Sequence, residues 1–208
     1  MPIELHAFDA PNGRKISVAL EEMALPYVVR IVDIRHGRQF DPEFLKISPN
    51  GKIPAIVDPD GPGGKAVSVF ESGAILIYLG EKTGKFYPAD LAARIPVLEW
   101  LMFQHGGFGP IPGQVHHFVT VDDEQDRSYA LARFSKETRR LYGVMDLRLG
   151  EHEFFADEIS IADFAILGWA WRHPRHKVDL NEFPNVKRWY DAMMARPGVM
   201  RGFAVKLS

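Results

Sequence analysis

The 208 residues suffice for one large domain or two small ones, and 46% apolar with 25% charged residues provide for an ordinary globular core. A net charge of −2 offers no basic footprint for nucleic acid. No apolar run reaches bilayer length and no signal-peptide pattern opens the chain, so a cytoplasmic protein is expected. There is no cysteine, which excludes a disulfide or a thiolate of the protein's own; any thiol chemistry has to come from a bound thiol.

Taken in order, Ile3–Phe8 reads as a first strand interrupted by His6, and Asp9-Ala10-Pro11-Asn12-Gly13 as a turn. Lys15–Ala24 carries Ile16, Leu20 and Met23 at helical spacing, Pro26 stops it, and Tyr27–Val32 is a β-branched strand. A parallel strand–helix–strand unit with a right-handed crossover joins these three economically. Arg35–Gln39 reads as a polar loop and Pro42–Ile47 as about two helical turns. Ala55–Asp58 and Ala66–Phe70 are expected to form a hairpin around the Pro/Gly-rich stretch 59–64. Ser72–Lys82 then covers the sheet as a helix, with Gly84 at its C′ position.

Phe86–Leu91, with Pro88, reads as a linker, and no convincing strand follows it. Leu91–His105 is helical, and the glycines and prolines of 106–113 are expected to kink or interrupt it. Arg127–Leu149 is a long periodic helix with Ala130, Phe134, Leu141 and Met145 along one stripe. Ser160-Ile161-Ala162-Asp163 is a capping box, with Ile159 and Phe164 at staple spacing. Pro184–Arg196 is the last helix expected, ended by Pro197. The division expected is an α/β part, 1–85, and an all-α part, 91–208.

The chemistry concentrates between Pro49 and Ser72. Ile53-Pro54 lies between the turn Pro49-Asn50-Gly51 and the short run Ala55-Ile56-Val57. A proline belongs at a strand start because it cannot donate to the ladder, and if its bond is cis rather than trans the chain turns sharply just before the strand. The backbone of Ile53 is then left to pair with an extended ligand. Ser72 opens a helix whose amides and dipole suit a carboxylate, and Glu71 beside it suits an ammonium. Together they would read a short peptide with free α-amino and α-carboxyl groups.

Residues 10–13 (Ala-Pro-Asn-Gly), 47–57 (Ile-Ser-Pro-Asn-Gly-Lys-Ile-Pro-Ala-Ile-Val), 70–75 (Phe-Glu-Ser-Gly-Ala-Ile) and 106–110 (Gly-Gly-Phe-Gly-Pro), with Gly113-Gln114 and His116-His117-Phe118, form an ordered set. This set resembles the cytosolic glutathione S-transferase superfamily over nearly the whole chain. It is most similar to the Nu-class bacterial members, which resemble glutathione-using disulfide reductases. The resemblance implies a thioredoxin-like N-terminal domain, an all-helical C-terminal domain, a homodimer, and glutathione as co-substrate without a metal. It implies a transferase or disulfide-bond reductase acting on small disulfides or electrophiles through a bound glutathione thiolate. The alternative is a glutathione-binding interaction or regulatory protein with little catalysis.

The same resemblance assigns the site. Ile53, Pro54, Glu71 and Ser72 would hold the peptide, and Lys52 and Gln39 its glycine carboxylate. Arg133 on the long helix is a further ligand candidate, reaching the cleft across a dimer; Arg139 and Arg140 beside it read as solvated. The sulfur would lie at the end of the first strand, where the Nu pattern has Thr-Pro-Asn-Gly, but this chain has Ala10 and no Ser, Thr, Tyr or Cys in residues 1–13. Asn12 is therefore the remaining sulfur-orienting residue, through its amide and the helix N-terminus behind it. It is also the residue expected to cap a Gly13–Ala24 helix, and one position can serve both ends. His116-His117 and His173-x-x-His176 lack a cysteine partner and the spacing of a zinc site. Gln104 and His105, beside the glycine kink, are candidates for the cleft, and Trp100, Trp169, Trp171 and Trp189 read as core.

Overall fold

The structure, a computed structural model, describes residues 1–122 and 124–208, side chains of 124–126 excepted. In chain order its elements are β1 (Ile3–Ala7), α1 (Pro11–Met23), β2 (Tyr27–Ile31), α2 (Pro42–Leu45), β3 (Ala55–Asp58), β4 (Val67–Phe70) and α3 (Ser72–Thr83). There follow α4 (Leu91–Phe103), a π-helical turn Gln104–Phe108, α5 (Pro110–Phe118), α6 (Glu124–Glu151), α7 (Ile161–Ala170), α8 (Pro184–Met194) and α9 (Pro197–Ala204). Two compact units result, Met1–Tyr87 with Met194–Ser208, and Pro88–Met193. The segment 194–208 groups with the first unit because α9 packs on α1.

The first unit is built on a four-stranded sheet of order β2-β1-β3-β4. β1 and β2 run parallel, as a strand–helix–strand crossover requires, while β3 is antiparallel to both β1 and β4. Along β1 every second residue, Ile3, Leu5 and Ala7, turns into the core. Ile16 and Leu20 of α1, Ile56 of β3, and Ile75 and Leu79 of α3 are fully buried in the same unit, where α1 packs on β1 and α3. Gly202 lets α9 close on α1: a Cβ there would come within 2.6 Å of the Val18 Cα.

α1 begins earlier than its apolar spacing suggests. Ala10 is the N-cap in extended conformation and Pro11 is the first helical residue, where a missing N–H costs nothing. The expectation that Asn12 caps the helix is therefore corrected: Asn12 lies inside the first turn. Pro197 likewise opens α9 besides following α8, a helix not expected from the sequence. Arg35–Gln39 is not plain loop but contains short 3-10 turns, Ile34–His36 and Arg38–Phe40, and α2 is a single turn.

The second unit is helical, with Leu101, Phe108, Tyr142, Met145, Phe164, Leu167 and Trp189 fully buried. Of the other tryptophans, Trp100, Trp169 and Trp171 are half-buried. The glycine and proline stretch interrupts the helix as expected, through the π-helical turn between α4 and α5. α7 starts at the capping box: Ser160 Oγ accepts from Ala162 N at 3.3 Å, and Asp163 accepts from Ser160 N at 2.9 Å. The Asp163 carboxylate also accepts from Phe155 N, Ser160 Oγ and the Trp189 indole at 3.3, 3.2 and 2.9 Å. Burial pushes this carboxyl up, to about 6, against the opposing pull of those donors.

His116 and His176 stack with ring centroids 4.8 Å apart, and the Tyr142 hydroxyl lies 2.8 Å from His176 Nδ1. Burial drives both imidazoles toward the neutral form, His116 to about 4 and His176 to about 2. Among the described residues, no group of three His, Cys, Asp or Glu side chains is placed to hold a metal. No described helix is long and apolar enough to cross a membrane.

Candidate glutathione site

The ends of three elements in the first unit carry the residues singled out from the sequence. The turn after β1 delivers Asn12 to the first turn of α1, half-buried, with its backbone amide among those that point out of the helix. Gly13 next to it is obligatory, because a Cβ there would lie 2.7 Å from the Phe8 carbonyl oxygen. Arg14 then locks the turn. Its guanidinium donates to Asp9 at 2.6 and 2.9 Å and to the carbonyls of Phe203 and Val205 at 2.9 and 2.8 Å.

The loop before β3 is fixed from within. Gly51 N donates to the Ser48 carbonyl at 2.9 Å, and Ser48 Oγ donates to the Lys52 carbonyl at 2.8 Å. Ile53-Pro54 is cis, and pairing with β1 and β4 begins only at Ala55. The backbone of Ile53 thus precedes the ladder. Lys52 is exposed; Gln39, on the 3-10 turn 38–40, is half-buried, and its Oε1 is buried without a hydrogen-bond partner among the described residues.

α3 supplies the third end. Glu71 is its N-cap at φ 66, ψ 118, a conformation that costs a non-glycine residue on the order of 1–3 kcal/mol. It makes no side-chain cap; its carboxylate instead accepts from Asn50 Nδ2 at 3.3 Å. Ser72 is the first helical residue and is buried. Behind it stands Lys15, on the second turn of α1, whose Nζ donates to Ser72 Oγ at 3.2 Å. The starts of α1 and α3 are therefore neighbours, joined through a side chain that is 1% exposed. Burial pushes the Lys15 amine well below its ordinary value, and only the Glu71 carboxylate opposes this among the causes that act on it.

Further along α3, Asp58 at the end of β3 holds the helix body. It accepts from Tyr78 Oη at 2.6 Å and from Asp60 N at 2.9 Å, and pairs with Lys82 Nζ at 2.9 Å. Burial raises this carboxyl, but Lys82, Tyr78 and the Asp60 amide outweigh it and keep it below the usual carboxylate range. Arg133 belongs to the second unit, on α6. It is exposed, lining a hollow of about 730 Å³ with Ile111, Tyr129, Phe134, Lys136 and Arg140.

Sequence reasoning passed over Lys15 and Arg14. Lys15 follows Asn12 by three residues, the spacing that puts two helical residues on one face, so that signal was present. Arg14 acts on carbonyls almost two hundred positions away, and no local pattern announces that.

What these ends offer a ligand is uniform in kind: amides at two helix starts, a carboxylate beside one of them, and a backbone segment outside the sheet. Comparisons with known proteins agree. Residues 10–82 match the glutathione S-transferase N-terminal domain family, and residues 108–197 the C-terminal domain family. The disulfide-bond oxidoreductase YfcG of Escherichia coli (strain K12) is 46% identical over 197 residues, spanning 94% of this chain and 91% of its own. A glutathione transferase from Pseudomonas putida, solved with one glutathione disulfide bound per subunit, is 40% identical with TM-score 0.91, covering 98% of this chain and 91% of its own. One from Burkholderia graminis, with two glutathione molecules bound per subunit, is 41% identical with TM-score 0.89, covering 97% and 87%. By both of its domain matches and by these relatives, the chain belongs to the glutathione S-transferase family.

Proposed function

We propose that this protein is a glutathione-dependent disulfide-bond reductase. It would bind glutathione in its N-terminal part, 1–85, carry its all-helical part over 91–208, and act as a cytoplasmic homodimer. The observation that supports the reading most is the junction of the α1 and α3 starts, joined by Lys15 and Ser72. Asn12 lies in the first turn of the helix that follows β1, the strand at whose end family members hold the glutathione sulfur, while Ser72 and Glu71 offer an amide-rich helix tip and an acid for the α-carboxylate and α-amino group of the γ-glutamyl residue. Ile53 before the ladder, with Pro54, suits the backbone of the cysteinyl residue, and Lys52 with Gln39 suits the glycine carboxylate. Arg133 is assigned to the same ligand set on the family resemblance.

With no cysteine in the chain, both reducing equivalents come from glutathione. A glutathione thiolate attacks one sulfur of the substrate disulfide, forming a mixed disulfide and releasing one substrate thiolate, which takes up a proton. A second glutathione thiolate then attacks the glutathione sulfur of that mixed disulfide, releasing the other substrate thiol and leaving glutathione disulfide. The Pseudomonas putida and Burkholderia graminis relatives, solved with glutathione disulfide and with two glutathione molecules, fit a site of that capacity. The chain's part is to orient the sulfur by Asn12 and to hold the peptide; a thiol of ordinary pKa about 8.5 needs such donors to ionise near neutrality. Conjugation to electrophiles is the lesser activity in this reading, since no hydroxyl lies in residues 1–13 to activate the thiol generally.

The deciding experiment follows glutathione-dependent reduction of hydroxyethyl disulfide beside conjugation of an aryl halide. Disulfide turnover well above conjugation is expected. Conjugation alone, or glutathione binding without turnover of either, overturns the reading. Light scattering on the purified chain tests the dimer.

A further inference from the structure

Glu71 brings an acid to the start of α3 on a positive-φ backbone, and the side chain that holds this acid is uncharged. Asn50 Nδ2 donates to Glu71 Oε1 at 3.3 Å across a separation of 21 residues. Elsewhere in the first unit such carboxylates have a basic partner: Glu4 has Arg30, Asp9 has Arg14, Glu22 has Arg196 and Asp58 has Lys82. Glu71 acts on the buried Lys15 through space, and among the described residues no basic side chain pairs with it directly. The difference matters for binding. A guanidinium or ammonium on the acid would cancel much of its pull on a second cation, whereas an amide fixes the carboxylate and leaves its charge.

Asn50 is itself set in place by the turn that carries it. Ser48 is 1% exposed and donates from Oγ to the Lys52 carbonyl at 2.8 Å, and Gly51 N donates to the Ser48 carbonyl at 2.9 Å. Gly51 holds a left-handed φ of 62, and a Cβ there would come within 3.2 Å of the Phe40 ring. The turn is therefore pinned on both sides of Asn50, and it runs directly into Ile53-Pro54. Asn50 and Glu71 are both exposed, so their contact adds little to the fold; its use is to restrict where the carboxylate points.

We propose that Asn50 is a positioning residue for the γ-glutamyl ammonium of glutathione: from the turn that leads into Ile53 it holds Glu71 Oε1 with a neutral donor, so that Oε2 and the undiminished negative charge are kept for the ligand's α-amino group. The inference rests on the reading that Glu71 takes this group. The same hydrogen bond spaces the acid from the Ile53 backbone in advance, so two contacts to one peptide are set before it binds.

The test is titration calorimetry of the whole chain with S-methylglutathione and with its glutaryl analogue, in which hydrogen replaces the α-amino group and both carboxylates remain. Wild type is expected to favour S-methylglutathione. Asn50→Ala is expected to bind it about threefold to tenfold more weakly, the range of one net hydrogen bond, and to bind the analogue as wild type does. Asn50→Lys keeps a donor but adds a charge, and is expected to weaken S-methylglutathione at least as much. In turnover Asn50→Ala raises KM for glutathione and leaves kcat near that of wild type. Because Asn50 acts through Glu71, its removal costs less in a Glu71→Gln background. Equal losses for the two ligands make Asn50 a loop-shaping residue and overturn the inference, as does unchanged affinity for both; the proposed function stands in either case. Should Asn50→Ala not fold, Asn50→Lys binding the two ligands in the wild-type ratio overturns the inference equally. A wild type that binds both ligands alike overturns the role of Glu71 and this inference with it, and one that binds neither removes the proposed function itself.

Discussion

Compare the start of α7 with the starts of α1 and α3. α7 is closed in both directions by Ser160 and Asp163, and every donor around the Asp163 carboxylate belongs to the protein interior. At α1 and α3 the N-cap residues, Ala10 and Glu71, make no side-chain cap at all. A missing cap forgoes about 1 kcal/mol. The difference is one of side-chain capping, and it is not peculiar to the proposed ligand site: α5 in the helical unit and α9 in the first unit also start without a side-chain cap, so what sets the α1 and α3 starts apart is their connection through Lys15 and Ser72.

The largest test of that contrast is Asp163→Ala. Four donors lose their acceptor in a buried setting, and a loss of about 3–5 kcal/mol, or failure to fold, is expected in thermal or urea unfolding. A loss under 1 kcal/mol would mean the sealed start is no more structural than the open ones. Asn12→Ala attacks the other side. Disulfide turnover is expected to fall about tenfold or more, as when one preorganised donor is removed, with stability within about 0.5 kcal/mol of wild type. Should stability fall and turnover hold, Asn12 serves the helix instead.

Filling an open start is the converse. Ala10 has the extended φ −144, ψ 157 of a capping residue, so Ala10→Ser is expected to stabilise by about 1 kcal/mol in urea melts. No gain would show that the α1 amides are already satisfied within the fold. The smallest effect concerns α3, open at its start but anchored along its body by Asp58. The Asp58 carboxyl is held below its ordinary 3.8, so its contribution is complete above about pH 4 and is lost as pH falls through the lower folded-state value. Asp58→Asn is expected to flatten that acid limb of the stability curve, and an unchanged slope between pH 4 and 2 would contradict the anchoring.

How far the sequence could be read follows the same division. The α7 start was legible because cap and partner lie three residues apart and both carry the signal in their side chains. The α1 start is hidden because Ala10 carries none, and Pro11 reads as a turn residue as readily as a first helical one. α9 is hidden for a similar reason: Pro197 marks an end and a beginning with the same chemistry. In the proposed site, Ile53-Pro54 and Glu71-Ser72 stood out as motifs, whereas Lys15 meets Ser72 across a separation of 57 residues and only the folded sheet brings them together. The positive φ of Glu71 also has no counterpart in composition.

The grip of Arg14 on the carbonyls of Phe203 and Val205 has a practical bearing. It ties the far tail of the polypeptide to the bend that carries Asn12, and Leu207 is buried against that bend, within 3.6 Å of where a Gly13 side chain would begin. Trimming the last few residues, or loading them with a bulky fusion, therefore tugs on the bend proposed to orient the sulfur rather than on a loose thread, and an activity lost that way would be mistaken for poor chemistry.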